Sequence, residues 1–589
     1  MTITRFAHDP GFGATVVPGG RVQFRLWAPA QDAIWLVIDG EPRVSMQPEP
    51  DGWFFAEVPC AAGSLYRYQL ADGTVVPDPA SRFQPEDVHG PSQVVDPRAY
   101  GWEHGNWAGR PWHEVVLYEA HVGCLGGFGA VARALPALKE LGATAVELMP
   151  IADFPGRHNW GYDGVFPFAP DSAYGTPEEL KALIDAAHGL GMMMFLDVVY
   201  NHFGPDGNYL GLYAPRMFRD DIHTPWGPAI DFRRTEVRDF FTENALYWLN
   251  EYRFDGLRLD AVHEISDPGW LDEMADEVRR VAGPGRQVHL VLENERNEAS
   301  HVMRDVDAQW NDDGHHAFHV LLTGENGGYY KDYADAGAAA LARVMAEGFF
   351  FQGQVSSHRG KPRGTPSAEL PMTAFVLFLQ NHDQVGNRAL GERLTALADP
   401  AALEAAIAAQ ILCPQIPLIF MGEEVASRTP FLFFTDHNAE LGAKVAEGRR
   451  REFAHFAAFS DPEQRAAIPD PNAPATFEAS IPRPDPAQAE QRRELYRRLI
   501  AVRMREIAPD IERARALEAM PLGNAAVEAR WRLGDRGVLS LAVNLGAAAV
   551  ALTPPKGRLL FAIPDAAAAR ASAGELPAHA CVVFLDQAA

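Results

Sequence analysis

The chain has 589 residues, too many for one ordinary core, and with 47% hydrophobic residues it has ample material to bury a large domain with smaller modules attached. A formal net charge of -26, spread along the chain rather than gathered in a tail, argues against nucleic acid or an anionic membrane as partner. The four cysteines, Cys60, Cys124, Cys413 and Cys581, lie far apart without a CxxC pair, which disfavours a zinc knuckle or a disulfide framework and points to a reducing compartment. The opening MTITRFAHDPGFG has no basic stretch followed by an apolar one, and no apolar run reaches the length of a membrane span, so a cytoplasmic protein is expected.

In chain order, RVQFRLW (21–27) alternates apolar and polar residues as a half-buried strand does, and AIWLVID, WFFAEV and LYRYQL follow with turn residues between them. This pattern predicts an N-terminal β-sandwich over 1–105. From about residue 106 short apolar runs alternate with amphipathic helical stretches such as TPEELKALIDAAHGLG and TEVRDFFTENALYWLNEY, the pattern of parallel β/α units. Eight strands are expected at VVLYEAHVG, AVELMPI, MMMFLDVVY, FDGLRLDAV, VHLVLE, AQWND, AFVLFLQNHD and IPLIFMGEE, which gives a central (β/α)8 TIM barrel over 106–508. A doubly wound sheet is the alternative, but no GxGxxG follows the first strand. The helix QRRELYRRLIAVRMREI closes the barrel, and VEARWRLG, GVLSLAVNL and ACVVFLD indicate a C-terminal β-sandwich domain over 509–589, with DAAAARASAG a loop or short helix.

In such a barrel the functional groups gather at the C-terminal ends of the strands. There the sequence places Asp197 with Asn201 and His202 after strand three, Arg258 and Asp260 with His263 at strand four, Glu293 at strand five, and Asn381, His382 and Asp383 at the end of strand seven. Three carboxylates on one face suit glycoside hydrolysis, which needs a carboxylate and a carboxylic acid flanking the bond. An arginine two residues before Asp260 favours its ionised form. Of the three glutamates in HLVLENERNEAS, Glu293 terminates the strand, whereas Glu295 and Glu298 fall in the loop. Aromatic loops HNWGYDG, NYLGLY and PFLFFTDH supply faces on which pyranose rings stack. In NDDGHHAFH the pair His315 and His319 invites a metal reading, but the zincin glutamate is missing and no third ligand is identifiable, so polar loop contacts are expected.

DVVYNH, GLRLDAVH, the Glu293 segment and QNHD stand in the order of the four signature regions of the α-amylase superfamily of glycoside hydrolases, which the chain resembles over almost its full length. The resemblance implies Asp260 as nucleophile, Glu293 as general acid/base and Asp383 as transition-state stabiliser, with Arg258 supporting the nucleophile. It further implies substrate contacts from His202, His382, Asp197, His263 and Asn381, and Tyr162 stacked beneath the reacting sugar. No cofactor and no metal are expected. MGEEVASRTPFLFFTDH, ELGAKVAEGRRREF and WNDDGHHAFHVLLTGENGGYY resemble the branch that cuts the α-1,4 bond next to the terminal trehalose of maltooligosyltrehalose. The expected partners are therefore maltooligosyltrehalose and related α-1,4-glucans, with no nucleic acid and no membrane, for a monomer or a homodimer. The competing readings are a 1,4-α-glucan branching enzyme, hydrolysis of other α-glucans, and a silent glucan-binding protein.

Overall fold

The computed structural model describes residues 4–224, 226–453 and 461–587. Near the N-terminus two antiparallel sheets face each other. One has the strand order 13–17, 21–27, 53–59, 47–49, and the other contains 44–45, 35–38, 65–69 and 75–76 with 92–93 at its side. The alternation in RVQFRLW decides which face is buried: Val22, Phe24 and Leu26 pair with Val58, Ala56 and Phe54 and point inward to Leu36, Ile38, Tyr66 and Tyr68.

The barrel is closed by eight parallel strands, β1 (Leu117–Ala120), β2 (Ala145–Leu148), β3 (Met193–Val198), β4 (Gly256–Leu259), β5 (His289–Leu292), β6 (Ala308–Trp310), β7 (Phe375–Leu377) and β8 (Ile416–Phe420), with β1 pairing β8 at Leu117 and Leu418. All eight expected strands are found. Helices intervene for local reasons. Pro177–Gly189 begins at a capping box, in which the Thr176 side chain accepts from Glu179 N while the Glu179 carboxylate accepts from Thr176 N.

The barrel interior is layered by strand parity. Leu117, Ala145, Met193, Phe195, Val291, Trp310 and Val376 belong to an apolar cluster with Trp112. Two residues further along β1 to β4 the inward positions become Glu119, Glu147, Asp197 and Arg258, each buried. Hydrophobic packing thus stops just below the loops and a charged layer takes over. Gly256 fits this narrowing, because a Cβ there would lie 2.1 Å from the Phe195 ring.

The closing helix spans Ala489–Glu506. From it Tyr496 donates to Glu423 Oε2 (2.8 Å) just past β8, and the fully buried Arg503 donates to the carbonyls of Ile411 and Cys413 (2.9 and 2.7 Å) and of Gln415 (2.6 Å). Arg503 therefore satisfies carbonyls at the C-terminal end of helix 400–412 and at the turn into β8. The C-terminal domain is a five-stranded antiparallel sheet ordered 514–521, 526–533, 537–544, 580–586, 558–563, with a small pair at 550–551 and 575–576. Strands 514–521 and 558–563, at the two edges of this sheet, are not among the three expected ones, and DAAAARASAG contains the helix Ala567–Ser572. Among the described residues no helix is long and apolar enough to cross a membrane. The four cysteines are free thiols.

Candidate active site

At the C-terminal rim lies a cleft of about 520 Å³ lined by Asp260, Glu293 and Asp383 together with Tyr162, His202, His263, Trp226, Asp312, His316, Tyr329 and Arg359. Six of the ten expected site residues therefore face the cleft. The other four, Arg258, Asp197, His382 and Asn381, are buried next to them.

Arg258 organises the centre. Its side chain is fully buried at the top of β4, packed 4.1 Å from the Trp310 ring. One terminal nitrogen contacts Asp197 (2.8 Å) and Asp260 Oδ1 (2.9 Å), and the other reaches Glu293 Oε2 (3.0 Å). One guanidinium thus draws three carboxylates from β3, β4 and β5 together, a task for a planar fork of donors. The second oxygen of Asp260 accepts from Asn201 Nδ2 (2.9 Å).

Ala261, directly after Asp260, holds a left-handed backbone (φ 39°) that is costly for an alanine. This turn aims its N–H at Glu293 Oε2 (2.8 Å), and Val262 N donates to the Glu293 carbonyl. Both protein contacts of the Glu293 carboxyl therefore fall on Oε2, which leaves Oε1 for a transferable proton.

Burial pushes the Glu293 pKa well above the ordinary carboxylate range; Arg258 opposes this, and Asp260, Asp383 and Asp312 add to it. Asp383 is held the other way. Burial works against its charge, but His382 Nε2 at 3.3 Å, the more distant Arg258 and Asn387 Nδ2 at 3.1 Å keep its pKa low. Two neighbouring carboxyls with opposite shifts mark one as acid and the other as anion.

The charge on His382 is stabilised from below. Burial disfavours it, yet Asp383 and Glu119 together raise its pKa well above the usual value. Glu119, on β1, accepts from His382 Nδ1 (2.5 Å) and from His382 N (3.1 Å), and both side chains are 1% exposed. Tyr162 stacks on the His382 ring at 5.2 Å, and its hydroxyl donates to Asp197 (2.5 Å) and lies 2.8 Å from His382 Nε2. Burial lifts Asp197 to about 7 despite Arg258. His202 stays below its usual pKa through burial and stacks on Trp226 at 4.5 Å, while His263, shifted down by the same cause, lies beside Glu295.

Three expectations need correction. Strand β7 ends at Leu377, so Asn381, His382 and Asp383 are not on it; Asn381 caps the helix His382–Gly386 by accepting from Gln384 N (2.8 Å). Past the end of the ladder, Asn381 offers the backbone a local partner in place of strand pairing. Likewise β6 stops at Trp310, and Asn311 caps the helix Asp312–Thr323. His315 and His319 therefore sit on a helix, not a loop: His315 meets the Leu379 carbonyl (2.6 Å) and His319 meets Glu325 (2.8 Å). Among the described residues no cluster of three or more potential ligands is positioned to hold a metal ion.

Sequence reasoning passed over Glu119, Asp312 and Arg359. Glu119 was hidden inside an apolar strand, where only its parity with the barrel interior gives a signal. Burial lifts Asp312 to about 7, and its Oδ1 accepts from Gln384 (3.3 Å). Arg359 clamps Glu295 with two bonds of 2.8 Å, which hold that carboxyl down at about 2. Glu295 is thereby a fixed anion and Glu293 the protonated member of the pair.

A barrel whose rim gathers an acid, an anion and a third carboxylate around one arginine is that of a glycoside hydrolase. Residues 91–211 match the family described as Alpha amylase, catalytic domain, and residues 514–583 match a domain of unknown function, DUF3459. The chain is 44% identical to the malto-oligosyltrehalose trehalohydrolase of Deinococcus radiodurans, with 80% of this chain and 79% of that protein covered. It is 38% identical to the enzyme of the same name from Rhizobium sp. (strain M-11), covering 96% and 98% respectively. A crystal structure of a putative alpha amylase from Salmonella typhimurium superposes with a TM-score of 0.92 at 42% identity, covering 99% of this chain and all of that one. The chain belongs to the malto-oligosyltrehalose trehalohydrolase family.

Proposed function

We propose that the protein hydrolyses the α-1,4 bond next to the terminal trehalose of maltooligosyltrehalose, releasing trehalose and a shortened maltooligosaccharide with retention of configuration. The observation that carries the chemistry is Arg258 bound at once to Asp260 and Glu293, two carboxyls held in one small neighbourhood as the short-range double displacement requires. Glu293, whose raised pKa favours the protonated form, donates from Oε1 to the oxygen of the leaving trehalose while Asp260 attacks the anomeric carbon. Water then opens the glycosyl-enzyme with Glu293 as base. Asp383, kept anionic by His382, faces the oxocarbenium-like charge from the side of β7. Tyr162, anchored at its hydroxyl, offers its ring to the sugar under attack, and His202 and His263 reach its hydroxyls or those of its neighbour.

The assay is chromatography of the products formed from maltooligosyltrehalose. Free trehalose is expected; new α-1,6 branches on amylose without trehalose would mean a branching enzyme instead. The membership of α-glucans in the substrate class follows from the family, and the preference for a trehalose end is the part this experiment tests.

A further inference from the structure

A second large cavity, of about 580 Å³, lies where the N-terminal sandwich meets the barrel, and among the described residues it shares no lining side chain with the catalytic cleft. Its walls come from strand 13–17, from Arg82, from the segment 95–98 that leads out of the sandwich, and from Glu251 at the end of the barrel helix Thr235–Asn250. That helix end runs into the start of β4, so the cavity sits toward the foot of the barrel, away from the carboxylates at the rim. Its volume is within the range that holds a small molecule.

Arg82 is the group in it that lacks a partner. The residue is only 6% exposed, and its guanidinium lies against the rings of Tyr247 and Phe168, 4.6 and 5.0 Å from their centroids. One terminal nitrogen has no hydrogen-bond partner, and the other has only the Phe12 carbonyl at 3.4 Å. Leaving a buried donor unmade is costly, and an acceptor carried by a ligand would recover that cost.

The other polar groups decide what kind of acceptor. Asp9 spends Oδ1 on Gly11 N (3.0 Å) and Thr15 Oγ1 (3.3 Å), Asp96 spends Oδ1 on Arg98 N (2.9 Å), and no protein donor among the described residues takes Oδ2 of either. Glu251 is already matched by Lys181 Nζ (3.0 Å) and His8 N (3.2 Å). Arginines and free carboxylate oxygens therefore alternate around the cavity, which disfavours a phosphate or any other anion. A hydroxyl group suits both, since it accepts from arginine and donates to a carboxylate. Between these groups Ala14, Val16, Val95 and Pro97 present the apolar patches that the C–H faces of a sugar need.

We propose that this cavity is a second, non-catalytic binding site for a short neutral saccharide, held by Arg82 and Arg98 as donors and by Asp9 and Asp96 as acceptors. The bound sugar bridges the sandwich and the barrel. The site owes nothing to the reaction at the rim, since neither its residues nor its ligand's chemistry depends on cleavage.

The test is equilibrium dialysis of labelled maltose, and separately of labelled trehalose, against the Glu293→Gln protein, in which no turnover consumes the probe. Two molecules per chain are expected at saturation, one in the cleft and one in this cavity. Arg82→Met keeps an apolar chain against the two rings, and the double change Asp96→Ala, Arg98→Ala alters only groups in contact with solvent. Each should weaken one class of binding about tenfold and leave the other unchanged. Should Arg82→Met fail to fold, the double variant still decides. Binding of both probes that the double variant leaves unchanged would overturn the proposal. So would inorganic phosphate that binds the parent and not Arg82→Met while neither sugar responds to these changes, which would make the cavity an anion site. A failure to release trehalose from maltooligosyltrehalose would count against the proposed reaction alone.

Discussion

Replacing Arg258 with methionine removes the charge on which the centre is built. The guanidinium is fully buried and contacts Asp197, Asp260 and Glu293 at 2.8 to 3.0 Å, so its loss leaves buried carboxylates uncompensated. Breaking a buried pair from one side costs about 3–5 kcal/mol. A barrel of about 400 residues unfolds with an entropy of about 0.8 kcal/mol/K, which converts this cost to a fall in Tm of about 4 to 6 °C. The fall depends on pH. Asp197 already titrates near 7 with Arg258 present, above its unfolded value, so the stability it lends is complete at low pH and is lost as pH rises through the folded pKa. Without Arg258 that folded pKa climbs further, and the variant loses more than the parent at alkaline pH. Differential scanning calorimetry at pH 5 and pH 8 is expected to show the full fall at pH 8 and no more than about half of it at pH 5. An equal fall at both values, or less than about 1 °C at pH 8, would refute the claim that one cation holds three carboxylates together.

Four other substitutions follow from the same geometry. Glu293→Gln should lower kcat by about 10²–10⁴ while substrate still binds, whereas Glu295→Gln, which alters a fixed anion paired with Arg359, should keep most of the rate; the reverse pattern in initial-rate kinetics would move the acid two residues along. The parent's rate should fall only as pH rises above the ordinary carboxylate range, because Glu293 must stay protonated and its pKa is raised. Glu119→Gln removes the anion under His382 and is expected to lower kcat about tenfold, with KM changed less than about twofold, one pKa unit of lost charge stabilisation. A change in KM alone would count against this role. Gly256→Ala forces a methyl group to within 2.1 Å of Phe195, and a thermal scan should show overpacking of about 1–3 kcal/mol.

Much of this arrangement is legible in the sequence because strand ends and functional residues coincide. Asp260 and Glu293 each follow directly on a strand, so counting to the end of an apolar run finds them. Asp383 defeats that count: β7 ends six residues earlier, and the motif QNHD, not periodicity, singles it out. Glu119 and Glu147 were overlooked because a buried glutamate inside an apolar run carries no sign of its neighbours, and only a closed barrel brings β1 beneath His382, more than 260 positions away. The Glu295–Arg359 clamp was illegible for the same reason, since its partners belong to different connections of the barrel. The edge strands of the C-terminal sheet escaped because 514–521 is exposed along most of its length and 558–563 at its start, so neither carries the sustained buried pattern of the central strands.

The closing helix has a consequence for how the molecule is made. β1 must wait for β8, three hundred residues later, before the ladder is complete, and Tyr496 and Arg503 are needed to brace the turn and the last strand against the rest. During synthesis the N-terminal sandwich can form while the ribosome is still translating the barrel, but the ladder cannot close until β8 has emerged, and helix 489–506 then braces the turn and that last strand. Until then the inward glutamates of β1 and β2 face no completed wall. A pause in translation before residue 416 would hold a nascent chain with an open sheet edge and its inward charges still in water, the stage at which chaperone capture and proteolysis compete with closure.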